Sequence, residues 1–232
     1  MTAGSQPSGQ GAAPSFPFLT NDDFESACRA FMDRVHVAGS LTSGWSSVRM
    51  QEHGPILMIS QCLDSPCNSL PDDALAQQGG IEDQDLELET CEEDPEVLFR
   101  TSDKPERLQV DYDIVLSPTY QVPVLYFVLR RMGKPLGLNE VYNHLVPSQY
   151  RKSIQGVGIM GGISFGYHPV SGTPAFFVHP CNTAEAMKDI ASGGSVSLDA
   201  YLIMWLGLVG SCVRLQLPSE LFAIAGIPKL NG

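Results

Sequence analysis

The first ordered pattern along the chain is an apolar stripe at three-and-four spacing, Phe24, Ala27, Cys28, Phe31 and Val35, which stops at Gly39. Thr20-Asn21-Asp22-Asp23 ahead of it supplies capping oxygens and negative charge at the positive end of a helix dipole, so an amphipathic helix is predicted there. The pattern then turns strand-like. Residues 45 to 50 and 56 to 60 are short apolar runs separated by His53-Gly54-Pro55, which predicts a hairpin turning at Gly54. Residues 62 to 106 lose all periodicity. Period two returns at Val110, with Val110, Tyr112, Ile114 and Leu116 on one face and Asp111 and Asp113 on the other. Ser117-Pro118-Thr119 turns this strand into a partner over residues 120 to 130. Pro123 cannot donate to a ladder, so it is expected at an edge or at a bulge near the strand start. A turn at Gly133-Lys134-Pro135-Leu136-Gly137 leads into a short helix over residues 139 to 145. Residues 146 to 174 are Gly-rich and read as irregular. A strand-like Phe176-Phe177-Val178, a short helix to about Ala191, a Ser192-Gly193-Gly194 break and an apolar helix from about Leu198 complete the chain. The predicted class is α+β: a four-stranded antiparallel sheet with flanking helices covering one side.

Composition narrows the function classes. A chain of 232 residues is long enough for one sizeable core. The expected layout is a disordered tail over 1–19, one domain over 20–218 interrupted by an acidic flexible insertion at about 62–107, and a C-terminal tail over 219–232. The net charge is −12, yet residues 72 to 96 hold 11 of the 26 acids and no Lys or Arg. That leaves 15 acids against 14 bases elsewhere, a nearly neutral remainder that argues against nucleic-acid binding. The acidic run reads as solvating, with docking of a basic partner as the sharper alternative. Six cysteines contain no CxxC pair and fall in segments of unlike character, which argues against a disulfide scaffold, a structural zinc site or any other metal. The N-terminal residues carry neither a secretory pattern nor an Arg-rich transit pattern, and a reduced, cytoplasmic setting is expected. The longest uncharged apolar stretch, residues 201 to 213, is 13 residues long and broken by Gly207 and Gly210, so a buried helix is expected and no stable membrane insertion.

Candidate chemistry concentrates at Phe176-Phe177-Val178-His179-Pro180-Cys181-Asn182-Thr183-Ala184-Glu185. An apolar strand ends, one cysteine is presented and a helix opens with Asn182 and Glu185 at capping-box spacing. The positive end of a helix dipole favours the anionic form of a thiol, which is the nucleophile. The competing reading of Cys181 is a small buried hydrophobe. His179 is a turn-packing residue or a proton relay, and Asn182 and Thr183 are caps or site residues. Tyr120, Tyr126 and Trp205 read as core or hairpin packing residues, except on the exposed face of the second hairpin, where a partner protein could dock by strand contacts. Gly156-Val157-Gly158-Ile159-Met160-Gly161 matches the dinucleotide fingerprint in letters, but no buried strand precedes it and no helix follows. All five histidines lie upstream of Cys181, which excludes the papain order of Cys, then His, then Asn.

Phe177-Val178-His179-Pro180-Cys181-Asn182-Thr183 with Met187 resembles the active-site segment of the autophagy branch of ubiquitin-conjugating-like enzymes. Residues 112 to 127 (YDIVLSPTYQVPVLYF) and Trp205-Leu206-Gly207-Leu208-Val209-Gly210 with Leu215-Gln216-Leu217-Pro218 carry the same resemblance, as does His168-Pro169. It covers roughly residues 20 to 60 and 108 to 218. It implies a ubiquitin-conjugating-enzyme-like fold, Cys181 as thioester nucleophile, and supporting positions among His179, Pro180, Asn182, Thr183 and His168. The implied partners are a ubiquitin-like modifier, its activating enzyme and an acceptor protein bearing the target lysine; no cofactor is implied. The upstream His-Pro-Asn motif of ordinary ubiquitin-conjugating enzymes is absent. The oxyanion donor stays open among Asn182, the amides after Cys181 and the 163–168 loop. Two alternatives remain: the sister branch that transfers a modifier to a lipid amine, whose basic or His-Ala pair after the cysteine is replaced here by Asn182-Thr183, and a non-catalytic binding module on the same fold.

Overall fold

The computed structural model describes residues 13–39, 44–51, 54–64, 107–149 and 162–223. Helix α1 (Asn21–Ala38) begins and ends where local chemistry dictates. The Thr20 hydroxyl accepts the Asp23 N–H, the Asp23 carboxylate accepts the Thr20 N–H, and Gly39 closes the helix at φ 69°. Phe24, Ala27, Cys28 and Phe31 face inward.

Strands β1 (Trp45–Gln51) and β2 (Ile56–Asp64) form the first predicted hairpin, with Gly54 at φ 77°. Strands β3 (Arg107–Leu116) and β4 (Pro123–Arg131) form the second, with Tyr112 opposite Phe127 and Ile114 opposite Leu125. Pro123 is the first residue of β4, where a missing N–H is tolerated, although β4 itself is interior. A two-residue β5 (Lys134–Pro135) folds back on β4 before α2 (Leu138–His144).

The sheet is antiparallel and α+β as predicted, but it has seven strands rather than four, in the order β1-β2-β3-β4-β7-β6 with β5 on the end of β4. The added strands are the short β5 together with β6 (Ile163–Tyr167) and β7 (Pro174–Val178), the last two lying partly in the stretch read as irregular. Ile163, Phe165 and Tyr167 do alternate, and Gly166 has a packing reason: a Cβ there would sit 3.3 Å from the Phe177 ring. The glycine that weakens the strand signal makes room for that ring.

One inner row, Val48, Ile59, Tyr112, Phe127, Phe176 and Phe165, crosses six strands in register. The helices cover this face, and the row emerges only at the β6 edge, where Phe165 is 66 % exposed. Beyond β7, a 3₁₀ turn (Pro180–Asn182) runs into α3 (Thr183–Ile190), and α4 (Leu198–Val209) carries the apolar stretch as a buried helix. The buried Tyr112 hydroxyl donates to the Val213 carbonyl at 2.7 Å, joining the sheet to the end of the helical layer. Arg34 of α1 reaches Asp199 of α4 at 2.6 Å.

The folded part extends past both predicted boundaries. Ala13 and Leu19 are buried although they fall within the expected tail, and so is Leu221 in α5 (Ser219–Ala223). Strand β2 continues to Asp64 and β3 starts at Arg107, so the hairpins reach into the borders of the expected insertion. The acidic run 72–96 and the glycine motif 156–161 lie outside the described residues.

Candidate active site

The site grows from the end of β7. Strand pairing puts Phe177 opposite Tyr126 and Val178 opposite Ile163, which fixes where the chain leaves the sheet. The next residue, His179, is held by three contacts. Its N–H donates to the Gly162 carbonyl at 3.2 Å, its ring meets Phe177 at 6.2 Å, and its Nδ1 accepts the Cys181 N–H at 3.2 Å. His179 is therefore the cap of the 3₁₀ turn, a position that Asn182 was expected to fill for the helix. Asn182 does stand at the N-cap of α3, but its side chain makes no capping bond. With Nδ1 accepting, the neutral ring carries its proton on Nε2, so its basic nitrogen is already used by the backbone.

Pro180 pre-sets the turn and is buried, as is Thr183, the first residue of α3, which turns its side chain into the core. Cys181 between them is exposed. The core cysteines are placed differently: burial, aided by Glu25, pushes the Cys28 thiol up to about 12, and burial also raises that of Cys212. A thiol kept protonated in that way is inert as a nucleophile. Cys181 is thus presented to solvent on a turn fixed by its neighbours, and the buried-hydrophobe reading does not hold.

Tyr120 of the second hairpin lies next to His179. The β3–β4 turn brings the Tyr120 ring edge-on to His179 at 5.7 Å, with Tyr120 itself 39 % exposed. The turn is set by the Ser117 hydroxyl, which accepts the Tyr120 N–H at 3.2 Å, and by the Ser117 carbonyl, which accepts the Gln121 N–H at 2.8 Å. Tyr120 lies in one of the segments on which the family resemblance rests, but its place beside His179 depends on the pairing of β4 with β7.

His168 is elsewhere. It occupies the β6–β7 turn at the opposite end of β7, so about 16 Å of strand separates it from the cysteine. It is 4 % exposed, its Nδ1 accepts the Val170 and Ser171 N–H groups at 3.3 and 3.2 Å, and its Nε2 points at Asp113 Oδ2 at 3.6 Å. Burial lowers its pKa against the pull of Asp113, and burial raises that of Asp113. His168 organises a turn. The 163–168 segment considered for the oxyanion is strand β6 followed by His168 of the turn, and what reaches the Cys181 turn from this side is the preceding Gly162 carbonyl, which accepts the His179 N–H and is an acceptor rather than a donor. The Thr183 amide donates to the Pro180 carbonyl, so the Asn182 side chain and its backbone amide remain the groups at hand.

Residues 23–220 match the model of the family described as autophagocytosis-associated protein, active-site domain. The chain belongs to this family. Among curated proteins, a ubiquitin-like-conjugating enzyme ATG10 of Gibberella zeae is 41 % identical over 143 residues, 60 % of this chain and 59 % of that protein. The human protein of the same name is 31 % identical over 137 residues, 58 % of this chain and 59 % of its own length. The chain thus matches about three fifths of the length of each. An Arabidopsis thaliana protein, again named ubiquitin-like-conjugating enzyme ATG10, is 28 % identical over 216 residues, covering 88 % of this chain and 94 % of that one. A solved structure described as the autophagic E2, Atg10, superposes with a TM-score of 0.45 at 13 % identity, over 83 % of this chain and 94 % of the other. Among the described residues no helix is long and apolar enough to cross a membrane.

Proposed function

We propose that this member of the autophagocytosis-associated family is a ubiquitin-like-protein conjugating enzyme, with Cys181 as its acyl-carrying nucleophile. The observation that carries the reading is the exposed thiol on a backbone-fixed turn at the head of α3, inside a segment matched by an active-site family model. The relatives named as conjugating enzymes support the same class.

The chemistry is two acyl substitutions. The Cys181 sulfur attacks the carbonyl carbon of the modifier's C-terminal thioester on the activating enzyme. A new C–S bond forms, the old one breaks, and the activating enzyme's thiol leaves. The neutral amine of an acceptor lysine then attacks the same carbon, an amide forms, Cys181 leaves as thiolate, and the amine proton passes to solvent. ATP is consumed in the earlier activation step. At each tetrahedral stage the Asn182 side chain and backbone amide are the donors near the developing oxyanion. The His179 ring, with Nδ1 bonded to the Cys181 N–H, orients the turn rather than accepting the proton. In this reading the partners are the modifier, its activating enzyme and an acceptor protein, and the setting is the cytoplasm, where such transfer supports autophagosome formation.

A chase distinguishes the acceptor class. The protein is charged with activating enzyme, ATP and a ubiquitin-like autophagy modifier, then exposed to free lysine or to vesicles containing an aminoethyl phospholipid. Faster discharge to lysine is expected. Discharge to the vesicles alone would assign the chain to lipid conjugation, and absence of any reductant-sensitive adduct would leave a binding module.

A further inference from the structure

We propose that residues 13–19 form a strap that positions the Tyr120 turn against the helical layer beside Cys181; this rests on the conjugating-enzyme reading above. The strap is held at discrete points along its length. Its first described amide, that of Ala13, donates to the Val196 carbonyl at 2.9 Å, just ahead of α4. The Tyr201 hydroxyl of α4 donates to the Pro17 carbonyl at 2.6 Å, and the Phe16 ring stands edge-on to Tyr201 at 6.0 Å. Lys188 of α3 places its ammonium 5.6 Å from the Phe18 ring centroid. The Leu19 N–H then donates to the Gln121 carbonyl at 2.8 Å, and Thr20 caps α1 directly afterwards.

The last bond matters because of where Gln121 is. Gln121 follows Tyr120 and has φ 54°, a left-handed conformation that costs a residue with a Cβ roughly 1 kcal/mol or more. Ser117 restrains the turn from within, and the Leu19 amide restrains it from outside. One segment therefore ties a strained turn carrying Tyr120 to α3, the helix that Cys181 introduces, and to α4 behind it. A cavity of about 330 Å³ lined by Ala13, Pro14, Phe16, Lys188 and Ser195 separates the strap from the α3–α4 connection. Ala13, Pro17 and Leu19 are buried against the core, so packing holds the strap together with these bonds, and losing one contact loosens it. Phe18, Leu19 and Tyr201 are positioning residues: none touches the thioester, and each acts through the placement of Tyr120.

The test uses the full chain with Phe18→Leu, Phe18→Tyr and Tyr201→Phe. Two quantities are measured: hydrogen exchange at the amides of residues 117–122, and single-turnover discharge of the Cys181 thioester to free lysine. The strap role predicts faster exchange in Phe18→Leu and Tyr201→Phe, with discharge slowed roughly tenfold at saturating lysine and an unchanged half-saturating concentration. Phe18→Tyr keeps a ring under Lys188 and is expected to recover the wild-type rate. Wild-type exchange and discharge in both loosened variants, or a Phe18→Tyr as slow as Phe18→Leu, would overturn the proposal while leaving the conjugating reading intact. A wild-type chain that accepts no thioester would overturn both.

Discussion

At the residue scale, two histidines with similar local settings take different parts. His179 and His168 each accept backbone N–H bonds through Nδ1, yet only His179 lies beside Cys181, because β7 carries the chain from one to the other. His168 makes a testable contribution to stability. Its pKa is lowered by burial, against Asp113, so the unfolded chain takes up the proton first. The stability it provides is complete above the ordinary histidine range near 6.5 and is lost as pH falls through that range toward its lowered folded value. His144 acts in the same sense, through burial, Arg131 and Arg214. Asp113 acts in the opposite sense within the carboxylate range, since burial favours its protonated form, with Asp111 adding to that shift and His168 and Arg49 opposing it. The urea midpoint is therefore expected to fall between about pH 7.5 and about pH 5.5, and to fall less in His168→Asn, whose side-chain oxygen can still accept the turn amides. An equal fall in both proteins would remove His168 from this account. The turn that presents Cys181 was legible in the sequence because strand end, thiol and helix start are consecutive. The placement of Tyr120 against His179 was not, because it depends on which strand pairs with β4.

At the element scale, legibility follows how local the determinants are. Helix α1 could be read to its caps, since stripe, capping box and terminal glycine are all contained in one stretch. Thr20→Ala removes the hydroxyl that accepts the Asp23 N–H and is expected to cost about 1 kcal/mol in urea unfolding. Strand β6 could not be read. Its alternation of Ile163, Phe165 and Tyr167 is intact but short and set in a Gly-rich stretch, and the purpose of Gly166, opposite Ala175, is visible only once the Phe177 ring lies diagonally across from it. Gly210 is a second glycine with a packing reason. The Leu215 N–H returns to its carbonyl at 2.9 Å, and a Cβ at Gly210 would run into the Leu215 carbonyl oxygen. Gly210→Ala is expected to lose roughly 3 kcal/mol in the same assay, and a loss no larger than that of Thr20→Ala would show that the end of α4 yields.

At the scale of the whole molecule, a seven-stranded antiparallel sheet carries helices on its inner face, and its β7 end delivers one exposed thiol beside a turn from β3–β4. The α+β class was legible from two hairpins and two flanking helices, whereas the strap was not. Ala13-Pro14-Ser15-Phe16-Pro17-Phe18 has the composition of a tail, and its packing is decided by a Tyr201 hydroxyl 184 residues from Pro17. The central claim is that Cys181 carries an acyl group. Its most direct test is to incubate wild-type and Cys181→Ser chains with activating enzyme, ATP and a ubiquitin-like autophagy modifier, and to resolve the products on non-reducing gels with and without reductant. The wild type is expected to form a one-to-one adduct that reductant removes, and Cys181→Ser an adduct that survives reductant but is cleaved by alkali, or none. A reductant-sensitive adduct on Cys181→Ser, or none on the wild type, would contradict the account.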